Sequence, residues 1–268
     1  MVDISSRAQT RETGKYVRST PGSQSLERGL LLLRAFRHGV NVLTNAELAE
    51  RTGLPRPTVS RLVRSLVDGG FLAYDLQHRG YRLTAACLSL ALSFRSSEPV
   101  LNLALPLMRE LAEGRRVNVG LAVADRLEMV YLDSVRYSRL GIFRHIRSGT
   151  RIPIHLTSLG FAYLAGMRTE ARTELLDQLQ YEFADAWPDV SRNIENALTS
   201  VSRHGFCHAG WQAGMASVAA PLVAQHGSVY AVNVSFPFPS NGSAALVKEH
   251  AALLVSLVRN LRHAVTAA

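Results

Sequence analysis

At 268 residues the chain exceeds one small domain and suits a small domain joined to a medium one. With 47% hydrophobic and 19% charged residues it can bury a substantial core, which argues against wholesale disorder. The net charge of +9 is uneven: residues 1–82 hold 13 Lys/Arg against 7 Asp/Glu, and residues 83–268 hold 17 against 14, so a polyanionic partner is expected for the first third.

No apolar run reaches the roughly 18–20 residues of a membrane helix, and no membrane partner is expected. Residues 1–23 are rich in Ser, Thr and Arg, lack periodicity and lack the apolar centre of a secretory signal, so they read as a flexible arm. Cys87 and Cys207 are far apart and outside any Cys-x-x-Cys pattern. That disfavours a disulfide scaffold and structural zinc, and fits a reducing cytoplasm.

Leu26, Leu30 and Leu33 set a helical spacing over 26–36. Thr44-Asn45-Ala46-Glu47 has the form of a capping box, opening a short helix that Gly53 stops. Pro55 and Pro57 fit only a first turn, so the next helix runs from about Arg56 to Asp68 and ends at Gly69-Gly70. Residues 71–74 and 81–83 read as strands around a turn, with Gln77, His78 and Arg79 at the tip.

Residues 84–114 read as helical with interruptions at Pro99 and Pro106, and residues 84–100 as the linker between a domain over 24–83 and one over 101–268. Beyond it, a hairpin is expected around Asp125-Arg126, a strand over 140–146, and helices over 159–165, 169–180 and 190–204. A second hairpin turns about Gln225-His226-Gly227, and an amphipathic helix over 244–264 closes the chain. The fold class is α+β.

In the helix from Arg56, Val59, Leu62, Val63 and Leu66 fall at i, i+3, i+4 and i+7, one stripe for burial. Thr58, Ser60, Arg61, Arg64 and Ser65 are left on the opposite side. Hydroxyls and guanidiniums on one face and an aliphatic anchor on the other are what a major-groove helix requires. The expected DNA-contacting residues are Arg28, Arg56, Thr58, Ser60, Arg61 and Arg64, with His78 and Arg79 from the wing. An ordinary three-helix core with a basic surface shares the stripe. The combination with a Gly turn, a Gly-Gly stop and a basic hairpin is more specific.

Ser25-Leu26-Glu27-Arg28-Gly29-Leu30, Leu48 to Pro55 and Thr58 to Leu62 resemble the N-terminal signature of the IclR family of bacterial regulators. Val130 to Asp133, Gly149 to His155, Leu159-Gly160, Leu164-Ala165, Arg203 to Phe206 and Ser217 to Pro221 resemble that family's effector-domain blocks, in collinear order.

The resemblance implies a winged helix-turn-helix, a linker helix and a GAF/profilin-like α/β domain that holds a small ligand. Carried over by position, it places Ser158 and Leu159 at the ligand, with Met215 and Ser217 from one strand and Asn233 and Ser235 from the next. Independently, the first amides of the helix entered at Thr157-Ser158-Leu159-Gly160 suit a carboxylate. Trp211 is a candidate lid or wall. Each position also has a plainer reading: Met215 as core, Ser235 as a strand end, His155 as a structural histidine.

No catalytic residue, cofactor or metal is expected. Gly-x-Ser-x-Gly, a phosphate loop, Gly-x-Gly-x-x-Gly and His-Glu-x-x-His are all missing, and Gly205 interrupts His204 and His208. The expected partners are operator DNA, a small carboxylate effector of medium size (aromatic acids among the candidates), a second copy as dimer or dimer of dimers, and RNA polymerase. The competing reading is a DNA-bridging protein that responds to no ligand.

Overall fold

The structure, a computed structural model, describes residues 22–37, 39–137, 146–212, 214–238 and 242–267, without the side chains of residues 211 and 212. The arm expected over 1–23 lies outside these residues apart from Gly22 and Ser23, and the strand expected over 140–146 apart from Ile146. The chain divides into two compact units, Met1–Ser89 and Leu90–Ala268.

In the first unit, α1 (Gln24–Arg34) starts where Ser23 Oγ accepts from Leu26 N at 3.4 Å. Then α2 (Asn45–Thr52) opens on the expected capping box: Glu47 N donates to Thr44 Oγ1 at 3.2 Å, and Thr44 N donates to Glu47 Oε2 at 2.8 Å. Gly53, at φ 68°, ends that helix in the left-handed region, which glycine enters without a Cβ penalty. Next, α3 (Arg56–Asp68) carries Pro57 in its first turn.

Leu32, Leu43, Leu48, Val59, Leu62, Val63 and Leu72 close one core among these helices. β1 (Leu72–Asp75) and β2 (Gly80–Leu83) form the wing, pairing Leu72 with Leu83 and Asp75 with Gly80. Leu43 bridges Tyr81, and a Cβ at Gly80 would meet Val42 Cγ1 at 2.5 Å and the Leu43 carbonyl oxygen at 2.9 Å. Only glycine lets the wing lie this close to the segment before α2.

The helix α4 (Ala85–Ser97) ends just before Pro99, where an interruption was expected. Glu98 caps a new helix, α5 (Pro99–Arg115), by accepting from Val100 N at 3.3 Å. Pro106 does not interrupt α5 but sits inside it. The packing of Leu101, Ala104, Met108 and Ala112 holds the helix through the lost hydrogen bond.

The second unit is built on an antiparallel sheet in the order β5-β4-β3-β8-β7-β6. The strands are β3 (Asn118–Asp125), β4 (Glu128–Arg136), β5 (Arg151–Pro153), β6 (Cys207–Gln212), β7 (Met215–Val223) and β8 (Val229–Pro237). One face packs on α5 and α9 (Ala244–Ala267) through Met108, Leu254 and Leu261. The other packs on α6 (Ser158–Gly166), α7 (Thr169–Glu182) and α8 (Trp187–His204) through Leu164, Leu179 and Ile194. This is the expected α/β layering of a GAF/profilin-like domain; β5 and β6 were not anticipated.

A register shift between Leu121 and Ala122 breaks the β3–β4 ladder. It leaves Leu132 unpaired and re-aims β4, so Tyr131 faces α6 while Leu132 joins the opposite core.

Candidate DNA-reading face and effector site

On α3, Val59, Leu62 and Val63 are buried, while Ser60, Arg61 and Arg64 are exposed and Thr58 is half-buried. Arg56, at the helix start, is exposed, as are His78 and Arg79 at the wing tip. These side chains sit on α3 and the β1–β2 hairpin of one unit; Arg28 is exposed on α1. Asp75 accepts from the His78 backbone at 2.9 Å and lies 3.0 Å from its ring, which holds the Asp75 carboxyl below the usual carboxylate range. The wing tip is thereby ordered, with Arg79 at φ 51°. Sequence reasoning missed Asn45, whose Nδ2 donates to Ser60 Oγ at 3.4 Å from the first residue of α2.

In the second unit, cross-strand register brings the predicted polar residues together on the α6 face. One row runs Arg136, Asn118, Ser235, Ser217 and Ala209 across β4, β3, β8, β7 and β6. The row beside it runs Ser134, Gly120, Asn233, Ala219 and Cys207. Asn118, Asn233, Ser235 and Ser158 are all buried, a concentration of polar groups that an apolar core does not tolerate without a use. The Ser158 and Ser217 hydroxyls are 2.5 Å apart, which ties the start of α6 to β7. Met215 is half-buried at the start of β7, opposite Pro237. Trp211 lies in β6, and its side chain is outside the described residues.

Leu159 and Gly160 also serve the packing of α6. Leu159 is buried in the core beneath α6. The Gly160 amide donates to Thr157 Oγ1 at 3.3 Å, and a Cβ there would fall 1.8 Å from the Ile154 carbonyl oxygen, so glycine is required for close packing. The Thr157 hydroxyl also donates to the Pro153 carbonyl at 2.8 Å. Helix capping therefore occupies the Gly160 amide, one of the first amides of α6. His155 is buried and stacks on Phe183 at 3.8 Å between ring centroids, and its Nδ1 has no hydrogen-bond partner, so it is structural without being satisfied.

Sequence reasoning also missed Arg136. Its Nη1 donates to Ser235 Oγ at 3.2 Å, and its guanidinium carbon lies 5.6 Å from the centre of the Tyr131 ring. Burial depresses the guanidinium pKa, and the interaction with Tyr131 acts against that. Arg95, in the last turn of α4, reaches the same strand, donating to the Leu132 carbonyl and to Asp133 Oδ2, each at 2.6 Å. Arg151 clamps the β3–β4 hairpin through Asp125 at 2.5 Å and Glu128 at 2.8 Å. A cavity of about 420 Å³ opens between α8 and β6, lined by Phe161, Asn193, Asn196, Ser200 and His208 but by none of Ser217, Asn233 and Ser235. Cys207 and Ala209, the β6 members of the two polar rows, line it as well.

Among the described residues no three His, Cys, Asp or Glu could hold a metal ion, and no helix is long and apolar enough to cross a membrane.

The sequence model for the IclR helix-turn-helix domain matches residues 25–76, and that for the bacterial transcriptional regulator IclR C-terminal domain matches residues 93–263. The chain is 32% identical over 183 residues to the HTH-type transcriptional regulator TsaQ1/TsaQ2 of Comamonas testosteroni, covering 68% of this chain and 66% of that one. It is 27% identical over 249 residues to the Pca regulon regulatory protein of Pseudomonas putida, covering 89% and 83%. Among solved structures, an IclR family transcriptional regulator from Brucella abortus superposes with a TM-score of 0.80 at 33% identity, covering 95% of this chain and 97% of that one.

Proposed function

The chain belongs to the IclR family of bacterial transcriptional regulators, and on that footing we infer that it is a ligand-responsive regulator of catabolic genes. It binds a pseudopalindromic operator through α3 and the wing, and it senses a small organic carboxylate on the polar rows of the second unit. The observation that carries this reading is the two-sidedness of α3, whose aliphatic stripe is locked into the core while Ser60, Arg61 and Arg64 stand in solvent.

Two copies of the chain, or a dimer of dimers, place two recognition helices on successive half-sites. Exposed apolar side chains support self-association: Leu26 and Leu30 on α1, and Leu88, Leu90, Leu92 and Phe94 on α4. Such rows are disfavoured in water and are covered at interfaces. The protein then acts in the cytoplasm, at promoters, with RNA polymerase as the machinery it opposes or recruits.

The test is an Arg61→Ala, Arg64→Ala double variant, assayed on operator DNA found by footprinting upstream of neighbouring genes. A good guanidinium–guanine pair discriminates by about 1–3 kcal/mol, so at least about a tenfold loss of operator affinity is expected, with melting temperature unchanged. Unchanged operator affinity would remove the α3 assignment. Operator affinity that no organic acid alters would favour the DNA-bridging alternative.

A further inference from the structure

Resting on the assignment of α3 as the DNA-reading helix, we propose that Asn45 is a positioning residue that sets the polarity of Ser60: it holds the Ser60 hydroxyl as a donor, so that Ser60 reads a hydrogen-bond acceptor on a base edge.

A free serine hydroxyl is undiscriminating, because it carries one O–H donor and two acceptor lone pairs and rotates to suit its partner. Ser60 is exposed in the second turn of α3, within the stretch of a recognition helix that meets base edges. Other hydroxyls of this unit turn their protons back onto their own helix. Ser65 Oγ donates to the Arg61 carbonyl at 3.4 Å, and Thr52 Oγ1 to the Leu48 carbonyl at 2.6 Å. Ser60 does not. Among the described residues its side chain has one hydrogen-bond partner, Asn45, whose Nδ2 donates to Ser60 Oγ at 3.4 Å. With an N–H aimed at its oxygen, the hydroxyl keeps its own proton for an acceptor outside the chain.

Asn45 is set for this role by the turn that carries it. It is the first residue of α2, directly after Thr44, whose reciprocal bonds with Glu47 fix the start of that helix. Its Oδ1 is buried without a partner, which leaves the amide nitrogen toward Ser60. Turned over, the amide would put its two N–H groups in that buried position, and orphaned N–H groups are rarer than orphaned carbonyls.

The major groove supplies the distinction that such a donor can read. Guanine O6 and thymine O4 accept there, whereas adenine N6 and cytosine N4 donate. A serine held as a donor therefore favours guanine or thymine at the position it faces.

The experiment measures binding of the full-length protein to the footprinted operator duplex and to its single-base-pair variants, alongside thermal melts. At one position per half-site, the wild type should prefer guanine or thymine over adenine or cytosine by about three- to tenfold, and Ser60→Ala should remove that preference. Asn45→Ala, which frees the hydroxyl, should shrink it and leave preferences at other positions alone. Asn45→Asp is the discriminating variant. A carboxylate only accepts, so it takes the Ser60 proton and leaves the oxygen's lone pairs for the groove. Beneath a uniform loss from the added negative charge, the preference at that position should swing toward adenine or cytosine. Three results overturn the proposal and leave α3 as the reading helix: a wild type that prefers adenine or cytosine there, an Asn45→Asp variant that keeps the wild-type preference, or a Ser60→Ala variant that weakens every operator equally. If the Arg61→Ala, Arg64→Ala variant leaves operator affinity unchanged, the α3 assignment falls, and this proposal with it.

Discussion

Arg95 Nη2 and Asp133 Oδ2 lie 2.6 Å apart, fastening the end of the linker helix α4 to the central part of β4. The same guanidinium donates to the Leu132 carbonyl and to Ser148 Oγ at 2.9 Å. Asp133 is three residues before Arg136 on that strand. A displacement of β4 at Asp133 therefore either carries the end of α4 with it or breaks this pair.

Arg95→Ala is predicted to separate sensing from response. Losing the partner of a half-buried carboxylate costs about 1–3 kcal/mol, so the second unit should melt lower. Effector affinity should persist while the ligand-induced change in operator affinity shrinks. An unchanged response, measured by operator titration with and without ligand, would show that coupling does not run through this pair.

Gly160→Ala is predicted to be severely destabilising. The new methyl carbon would overlap the Ile154 carbonyl, which is backbone and cannot rotate away. Overpacking of this kind costs about 3 kcal/mol or more. A thermal melt indistinguishable from wild type would disprove the close packing of α6 on residue 154.

Stability should fall on mild acidification because of His155. Burial holds its imidazole below the ordinary value of 6.5, so the unfolded chain takes up a proton before the folded one. The neutral-histidine contribution is complete above the unfolded value and is lost as pH falls below about 6.5 toward the folded value. Melting curves between pH 7.5 and 5.5 should show this decline, and His155→Phe should flatten it.

Removing the capping box should weaken the DNA-binding unit alone. Thr44→Ala deprives the first turn of α2 of its acceptor and is expected to cost about 1 kcal/mol. Operator affinity should drop modestly, while ligand binding to the second unit, read by calorimetry, stays the same.

The two thiols should differ in reactivity. Cys207 is buried, its thiol pushed up to about 12 by desolvation, and only the thiolate attacks. A thiol reagent should leave Cys207 untouched in the native protein and modify it after denaturation; Cys87, half-buried, should react first.

The DNA-reading half was legible in the sequence because its signals are local. Thr44 and Glu47 cap within one turn, Gly53 and Pro57 mark boundaries by their own backbone limits, and the α3 stripe repeats over a few residues. The effector half was legible only in part. β5 has 3 residues, too few to show alternation, and β6 has a register shift between Ala209 and Gln212. Pro106 suggested a break because tertiary packing, which outweighs it, has no sequence signature. Arg136 has no local signal in the sequence; its burial follows from pairing with Asn118 and a contact with Ser235, 99 positions downstream.

The irregular ladder between β3 and β4 has a consequence for how such a protein diversifies. Through it, neighbouring positions on a single strand serve opposite sides of the sheet: Asp133 holds Arg95, while Ser134 and Arg136 lie on the α6 face. Substitutions on the α6 side can therefore accumulate without touching the Arg95–Asp133 pair. A new dialect can be learned without relearning how to speak.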